Sequence, residues 1–151
     1  MRNTEKDKYW REMIRKQGEL RHFGGMAIRK SSKGDLASAQ EVDLLFRVAL
    51  SGGMMTPGQL AADMGVSKTI ISRLIDSLEK KALIIKERTL NDRRSYGIRV
   101  TDDGKEEVDR MYYYYLDPLY TLREQMTSDD FEKLFRLIEA ANTILSNANS
   151  K

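Results

Sequence analysis

The sequence predicts a mainly α-helical protein of the α+β class. Two short amphipathic helices meet at the tight turn Met64-Gly65-Val66-Ser67, two strand-like segments follow at 83–88 and 96–101, and apolar-striped helices occupy both ends. With 151 residues, the chain corresponds to one domain or to one protomer of a symmetric assembly.

The composition excludes several classes of function. The chain has no cysteine and one histidine, so neither thiolate chemistry nor a cage of imidazole ligands is available, and we expect no metal and no cofactor. No apolar run approaches the ~20 residues that span a bilayer, and the charged N-terminus lacks an apolar secretion signal. These features predict a cytoplasmic protein without a membrane partner.

The first 35 residues predict one helix and a loop. Apolar side chains recur every three or four residues over 4–28, which places them on one stripe, and the polar segment 29–35 then ends the helix. The stripe consists of Tyr9, Trp10, Met13, Ile14, Leu20, Phe23 and Met26. We assign residues 1–35 to an N-terminal dimerisation helix and its loop.

Residues 36–101 predict three helices and a hairpin. Ser38 with Glu41 forms a capping box, and Thr56-Pro57 starts a short helix that Gly65 stops. Ser67 caps the next helix, whose apolar stripe contains Ile71, Leu74, Ile75 and Leu78. Helix, tight turn, helix and two-stranded wing follow the order of a winged helix-turn-helix, so 36–101 is assigned as a DNA-binding domain.

The helix that starts at Ser67 is the candidate DNA-reading element. Its first exposed positions carry donors for base edges and phosphates, and free N–H groups at the start of the preceding helix can hold a phosphate. These candidates are Thr56, Gln59, Ser67, Lys68, Thr69, Ser72 and Arg73. The alternative is a purely structural helical hairpin.

Residues 36–104 resemble the MarR family of bacterial transcription regulators. The matching stretches are LASAQEVDLL, TPGQLAADMGVSKTIISRLIDSLEKKALI and NDRRSYGIRVTDDG. Two positions depart from the family pattern: Ala82 stands where glycine is usual, and Ile70 where a small polar residue often faces DNA. Ala82 must adopt an uncomfortable backbone or end the helix differently, whereas Ile70 either touches a thymine methyl or turns inward.

The loop between the strands carries the family's wing signature. Asp92 and Arg94 are two residues apart in an extended segment, so the carboxylate can orient the guanidinium towards a narrow minor groove. Arg93 is expected to meet the DNA backbone. The alternative is a solvated salt bridge of little energetic value.

Residues 102–151 are assigned as C-terminal dimerisation helices. Thr101 caps a long helix that contains Pro118, which should kink it, and Thr127 with Asp130 opens the last helix. An apolar seam of the coiled-coil kind follows at Phe131, Leu134, Ile138, Ala141, Leu145 and Ala148. A winged domain cannot cover both terminal helices, so we expect a homodimer on a pseudo-palindromic operator; intramolecular packing of these helices is the alternative.

The resemblance implies a repressor that a small aromatic or anionic effector releases from double-stranded DNA. Candidate effector contacts, chosen by residue type, are Trp10, Arg21, His22, Tyr112 and Tyr115. Charge is consistent with DNA binding, because residues 54–101 carry a net charge of +4 and residues 102–151 a net charge of −5.

Two other classes of function compete with DNA binding. A winged helix can become a protein-interaction module without DNA binding, but basic and small polar residues remain here where DNA contact requires them. An enzyme has little support. The paired carboxylates lie in the opening turns of helices, where they complement the helix dipole, and the chain has no glycine-rich phosphate loop.

Overall fold

The computed structural model describes residues 7–29, 38–88 and 95–150. Over these ranges the chain forms six helices and a two-stranded antiparallel sheet. Their bounds are α1 Trp10–Ala27, α2 Ala39–Leu50, α3 Pro57–Met64, α4 Lys68–Lys80, β1 Ile84–Arg88, β2 Tyr96–Val100, α5 Asp102–Gln125 and α6 Ser128–Asn149. The mainly α-helical winged helix-turn-helix that the sequence predicts is confirmed.

The hydrophobic core lies in the winged part of the chain. Helices α2, α3 and α4 and both strands supply nearly all of the buried apolar side chains, and Met111 of α5 adds one more. The fully buried members are Val42, Leu44, Leu45, Val48, Leu60, Ile71, Ile75, Leu78, Ile84 and Ile98. Burial of this apolar surface holds α4 and the wing in fixed positions around α2.

The helix starts follow the predicted hydroxyl caps. Ser38, Thr56, Ser67, Thr101 and Thr127 each accept a hydrogen bond from the backbone N–H three residues later, at 3.0–3.2 Å. Such a cap satisfies one of the donors that a helix start leaves without an intrahelical partner. The five predicted caps are therefore confirmed.

The wing contains one feature that the sequence did not indicate. Met55 pairs with Ile98 through two backbone hydrogen bonds, of 3.0 and 2.6 Å, so the segment before α3 extends the sheet beside β2. The Met54 side chain lies against Gly97 and occupies the space of a β-carbon there. Because Gly97 has no side chain, the segment before α3 can pack closely on the wing.

The base of the wing and the start of α5 form a tight junction. The hydroxyl of Thr101 donates to the Ala82 carbonyl oxygen at 2.7 Å, and its N–H donates to the Leu83 carbonyl oxygen at 3.1 Å. A methyl group at Gly104 would overlap that Leu83 oxygen and the Val100 side chain. Glycine is thus required at 104 for close approach between α5 and the hairpin.

The terminal helices differ from this core. Neither α1 nor α6 contains a buried residue, and α5 continues through Pro118 as one helix. In the seam of α6, Phe131, Leu134 and Ile138 are half-buried, whereas the later Leu145 is 60% exposed. The apolar stripes of both helices therefore remain largely uncovered within a single chain.

Candidate nucleic-acid interface

The helical periodicity of α4 places its apolar side chains on one buried side and its polar side chains on the opposite, exposed side. Ile71, Leu74, Ile75 and Leu78 face the core. The predicted contacts of α4 lie on the exposed side, at Lys68, Thr69, Ser72 and Arg73. The structure thus gathers four predicted donors on one solvent-facing stripe that starts at the Ser67 cap.

The turn before α4 has the predicted geometry. Gly65 has a φ of 66°, the left-handed conformation that ends α3 and redirects the chain. Val66 packs against the core. Ile70, which sequence reasoning left undecided, is half-buried and also packs against the core, so it turns inward.

The start of α3 offers fewer free donors than expected. The Thr56 hydroxyl oxygen accepts from the Gln59 N–H at 3.1 Å, and the Gln59 side-chain oxygen accepts from the Thr56 N–H at 2.9 Å. Both N–H groups of the predicted phosphate site are thus engaged in a capping box. Pro57 has no N–H. Among the described residues at this helix start, the Gly58 N–H is therefore the backbone donor that remains for a phosphate.

The predicted wing contacts Asp92, Arg93 and Arg94 lie outside the described residues. The described part of the wing carries charged pairs on both faces. Arg99 donates to Glu87 of the paired strand at 3.1 Å, and Lys86 donates to Asp76 of α4 at 3.0 Å. The wing is therefore joined to the candidate reading helix by charge as well as by core packing.

Of the two outcomes that the sequence leaves open at Ala82, the structure has the strained backbone. Ala82 has a φ of 61°, a left-handed conformation that disfavours any residue with a β-carbon. Its carbonyl oxygen accepts from Thr101 at the wing base. Residue 82 thus has the left-handed backbone conformation that glycine adopts most easily, and its β-carbon adds steric strain.

A buried carboxylate anchors the far end of α4. Glu41 is 3% exposed and accepts hydrogen bonds from the Ser77 hydroxyl and, at 3.0 Å, from the Lys81 ammonium group. Sequence reasoning assigned Glu41 only to the cap of α2. Nothing in the local pattern indicates partners 36 and 40 residues away.

The candidate effector residues lie on α1 and α5. Trp10 is half-buried and contacts Arg11, whereas Arg21, His22 and Tyr112 are exposed. Tyr115 stacks on Phe46 of α2 with ring centroids 5.5 Å apart. Burial raises the pKa of the Tyr115 phenol, the Asp43 charge adds to this increase, and Arg47 opposes it.

A cavity of about 300 Å³ lies between α1 and α5, but other residues line it. Phe23, Met26 and Pro118 contribute apolar surface, and Arg29 donates to Asp117 at its edge at 3.2 Å. The five effector candidates are not among its lining residues. Choice by residue type therefore missed this cavity, which depends on how two distant helices cross.

None of the helices described is long and apolar enough to cross a membrane. Within the same residues, no group of three or more acidic or histidine side chains is placed to hold a metal ion.

Helix α4 follows the glycine turn, presents a polar side to solvent and packs beside a two-stranded hairpin. This arrangement defines a winged helix-turn-helix protein. The sequence model of the MarR family matches residues 37–95, a segment that includes α2, α3, α4 and β1 and ends just before β2. Over this segment the chain is similar to the MarR family.

Known proteins resemble the chain in sequence or in fold. The uncharacterized HTH-type transcriptional regulator YcgE of Bacillus subtilis is 27% identical over 93 residues, which cover 62% of this chain and 60% of that protein. The match thus spans about three fifths of the length of this relative.

Two crystal structures share the fold at low sequence identity. A MepR-like protein complexed with pseudoligands has a TM-score of 0.70 and is 18% identical, covering 93% of this chain and 99% of its own. A mutant MarR from E. coli complexed with operator DNA has a TM-score of 0.69 and is 20% identical, covering 90% and 99%.

Proposed function

We propose that the protein is a sequence-specific, double-stranded-DNA-binding transcription regulator that acts as a homodimer. The observation that carries this proposal is the exposed stripe of α4, where Lys68, Thr69, Ser72 and Arg73 present hydrogen-bond donors from a helix held rigidly by its buried side. Such a helix fits the major groove. The operator-bound MarR from E. coli, which has the same fold, supports DNA binding by a protein of this fold.

The uncovered terminal helices support the homodimer. The exposed large apolar side chains of α1 and α6 have 37–69% of their surface accessible, among them Phe23, Met26 and Ile144. Apolar surface of this extent is typical of an interface rather than of a solvated face. A twofold pairing of these helices places two copies of α4 on half-sites about one helical turn apart, and so requires a pseudo-palindromic operator.

The regulator acts as a repressor that a small aromatic or anionic effector releases, as its family resemblance implies. Trp10, Arg21, His22, Tyr112 and Tyr115 remain the candidate contacts for such an effector. The MepR-like neighbour that holds pseudoligands supports ligand binding by this fold.

The decisive experiment selects genomic DNA fragments with the purified protein and measures binding to the enriched fragment as a function of salt. We expect a dimer to bind one fragment, with an affinity that falls steeply as salt rises because several phosphates are neutralised. Arg73→Ala should weaken binding by roughly 1–3 kcal/mol.

The matched control removes a lysine away from this surface. Lys68→Ala should weaken binding and lower the salt slope by about one, whereas Lys133→Ala on α6 removes the same charge and should leave both unchanged. A monomer that binds no fragment at low salt contradicts the proposal. A stable protein complex that is insensitive to Lys68 and Arg73 would instead indicate a protein-interaction module.

A further inference from the structure

The proposed DNA-reading stripe of α4 continues into two acidic side chains, Asp76 and Glu79. Asp76 follows Ser72 by four residues and Thr69 by seven, spacings that place all three on the same side of a helix. Its side chain is 70% exposed. An unpaired carboxylate there would repel the phosphates that the neighbouring Lys68 and Arg73 attract.

The carboxylate of Asp76 is paired with a lysine of the wing. Lys86 in the middle of β1 donates to Asp76 at 3.0 Å, and its ammonium nitrogen lies 3.6 Å from a Glu79 carboxylate oxygen. The same nitrogen lies 5.4 Å from the centre of the Tyr96 ring on β2. One ammonium group therefore meets two carboxylates of α4 and one aromatic ring of the hairpin.

The register of the sheet explains why Lys86 turns towards α4. Lys86 pairs with Ile98, whose side chain is buried, and adjacent side chains on paired strands share a face. The lysine stem thus follows the core-facing side of the wing and carries its charge to the edge of α4. The hydrogen bond to Asp76 raises the pKa of Lys86, partial burial opposes this, and the Glu79 charge adds to the increase.

We propose that Lys86 is a positioning residue for DNA binding: it neutralises Asp76 on the reading stripe and fixes the wing against α4. This inference rests on the proposed DNA-binding function. In the free protein the pair holds hairpin and helix together, and on DNA it removes a repulsive charge from the interface. Lys86 then contributes to affinity through Asp76 rather than through a phosphate of its own.

A double-mutant cycle separates these two roles. Lys86→Met keeps the aliphatic stem and should weaken binding to the selected fragment about tenfold, because it unmasks a negative charge and loosens the wing. In the Asp76→Asn background, the same substitution should cost no more than about twofold.

The control cycle uses Lys68 in place of Lys86. Lys68 lies eight residues from Asp76, about 12 Å along the helix, so Lys68→Met and Asp76→Asn should act additively within about twofold. Additive behaviour of the Lys86 and Asp76 substitutions would overturn the inference. So would an Asp76→Asn variant that loses discrimination at one base pair, because the carboxylate would then read a base.

A second measurement needs no DNA. Titration of the Lys86 side chain by NMR should show a raised pKa in the wild-type protein and a lower one in Asp76→Asn, and equal values in both would contradict the contact. If no DNA fragment is selected while the Lys86 pKa falls as expected, the proposed function fails and the positioning of the wing stands.

Discussion

The winged part of the chain and the terminal helices bury their side chains to very different degrees. Helices α2–α4 and the hairpin supply all the buried apolar residues except Met111, whereas α1 and α6 supply none. Both regions have amphipathic patterns in the sequence. The difference shows that the winged part buries its apolar surface within one chain, whereas the terminal helices leave much of theirs exposed.

The largest expected effect is a loss of core stability. Leu45→Ala removes a fully buried side chain of α2 and should lower the free energy of unfolding by about 3 kcal/mol, since a cavity remains. Urea unfolding measures this change. Leu50 lies at the end of the same helix and is 81% exposed. Leu50→Ala is therefore the control and should change the free energy of unfolding by less than about 0.5 kcal/mol. Equal losses of stability in the two variants would contradict the assignment of Leu45 to the hydrophobic core.

The next effect concerns the terminal helices. Leu145→Glu puts a charge on the seam of α6, which is exposed in the single chain and lies in the proposed dimer interface. It should raise the dimer dissociation constant at least ~30-fold, about 2 kcal/mol, because dimerisation would bury the new carboxylate. Sedimentation equilibrium measures it. Thr143→Glu, on the opposite side of α6, should leave the dimer intact. A wild-type monomer would show that α6 stays uncovered in solution.

A smaller effect is a gain in stability within the winged part. Ala82→Gly should raise the free energy of unfolding by about 0.5–1 kcal/mol, since it relieves a left-handed alanine. The matched control, Ala140→Gly in the exposed middle of α6, should lower helix stability by up to about 1 kcal/mol. Thermal unfolding of both variants tests whether Ala82→Gly stabilises the protein and Ala140→Gly destabilises it.

The smallest effect falls where the two regions meet, at Tyr115 of α5. Its pKa is raised in the folded protein, so its stabilising contribution is complete below pH ~10 and is lost as the pH rises through the folded pKa. Unfolding at pH 9 and pH 11 should show this loss, below about 1 kcal/mol for a half-exposed group. Tyr115→Phe should reduce it, and an unchanged loss in that variant would contradict the assignment.

Local chemistry made the element boundaries predictable from the sequence. Hydroxyl caps such as Ser67 and the stop at Gly65 act within three residues, so they can be read without knowing the fold. The family pattern limited Ala82 to two outcomes, a strained backbone or a different helix end, and the structure has the first. The four donors of α4 followed from helical periodicity once the cap was known.

Contacts between distant segments were not predictable in this way. Glu41 finds Ser77 and Lys81 only after α2 and α4 pack, and Met54 meets Gly97 only when the segment before α3 joins the sheet. The neutralisation of Asp76 by Lys86 depends on the position of the hairpin on α4. Single-sequence patterns do not encode such pairings, because many lysines could serve each carboxylate.

The junction at Gly104 has a mechanical consequence. Its α-carbon lies so close to the Leu83 carbonyl oxygen that no methyl group fits, and Thr101 ties the same turn to Ala82 by a hydrogen bond. The start of the long helix and the base of the hairpin are therefore packed directly against each other, with only Thr101 between β2 and α5. A displacement of α5 relative to β1 would have to break the Thr101 hydrogen bond or overlap the Gly104 backbone with the Leu83 carbonyl oxygen.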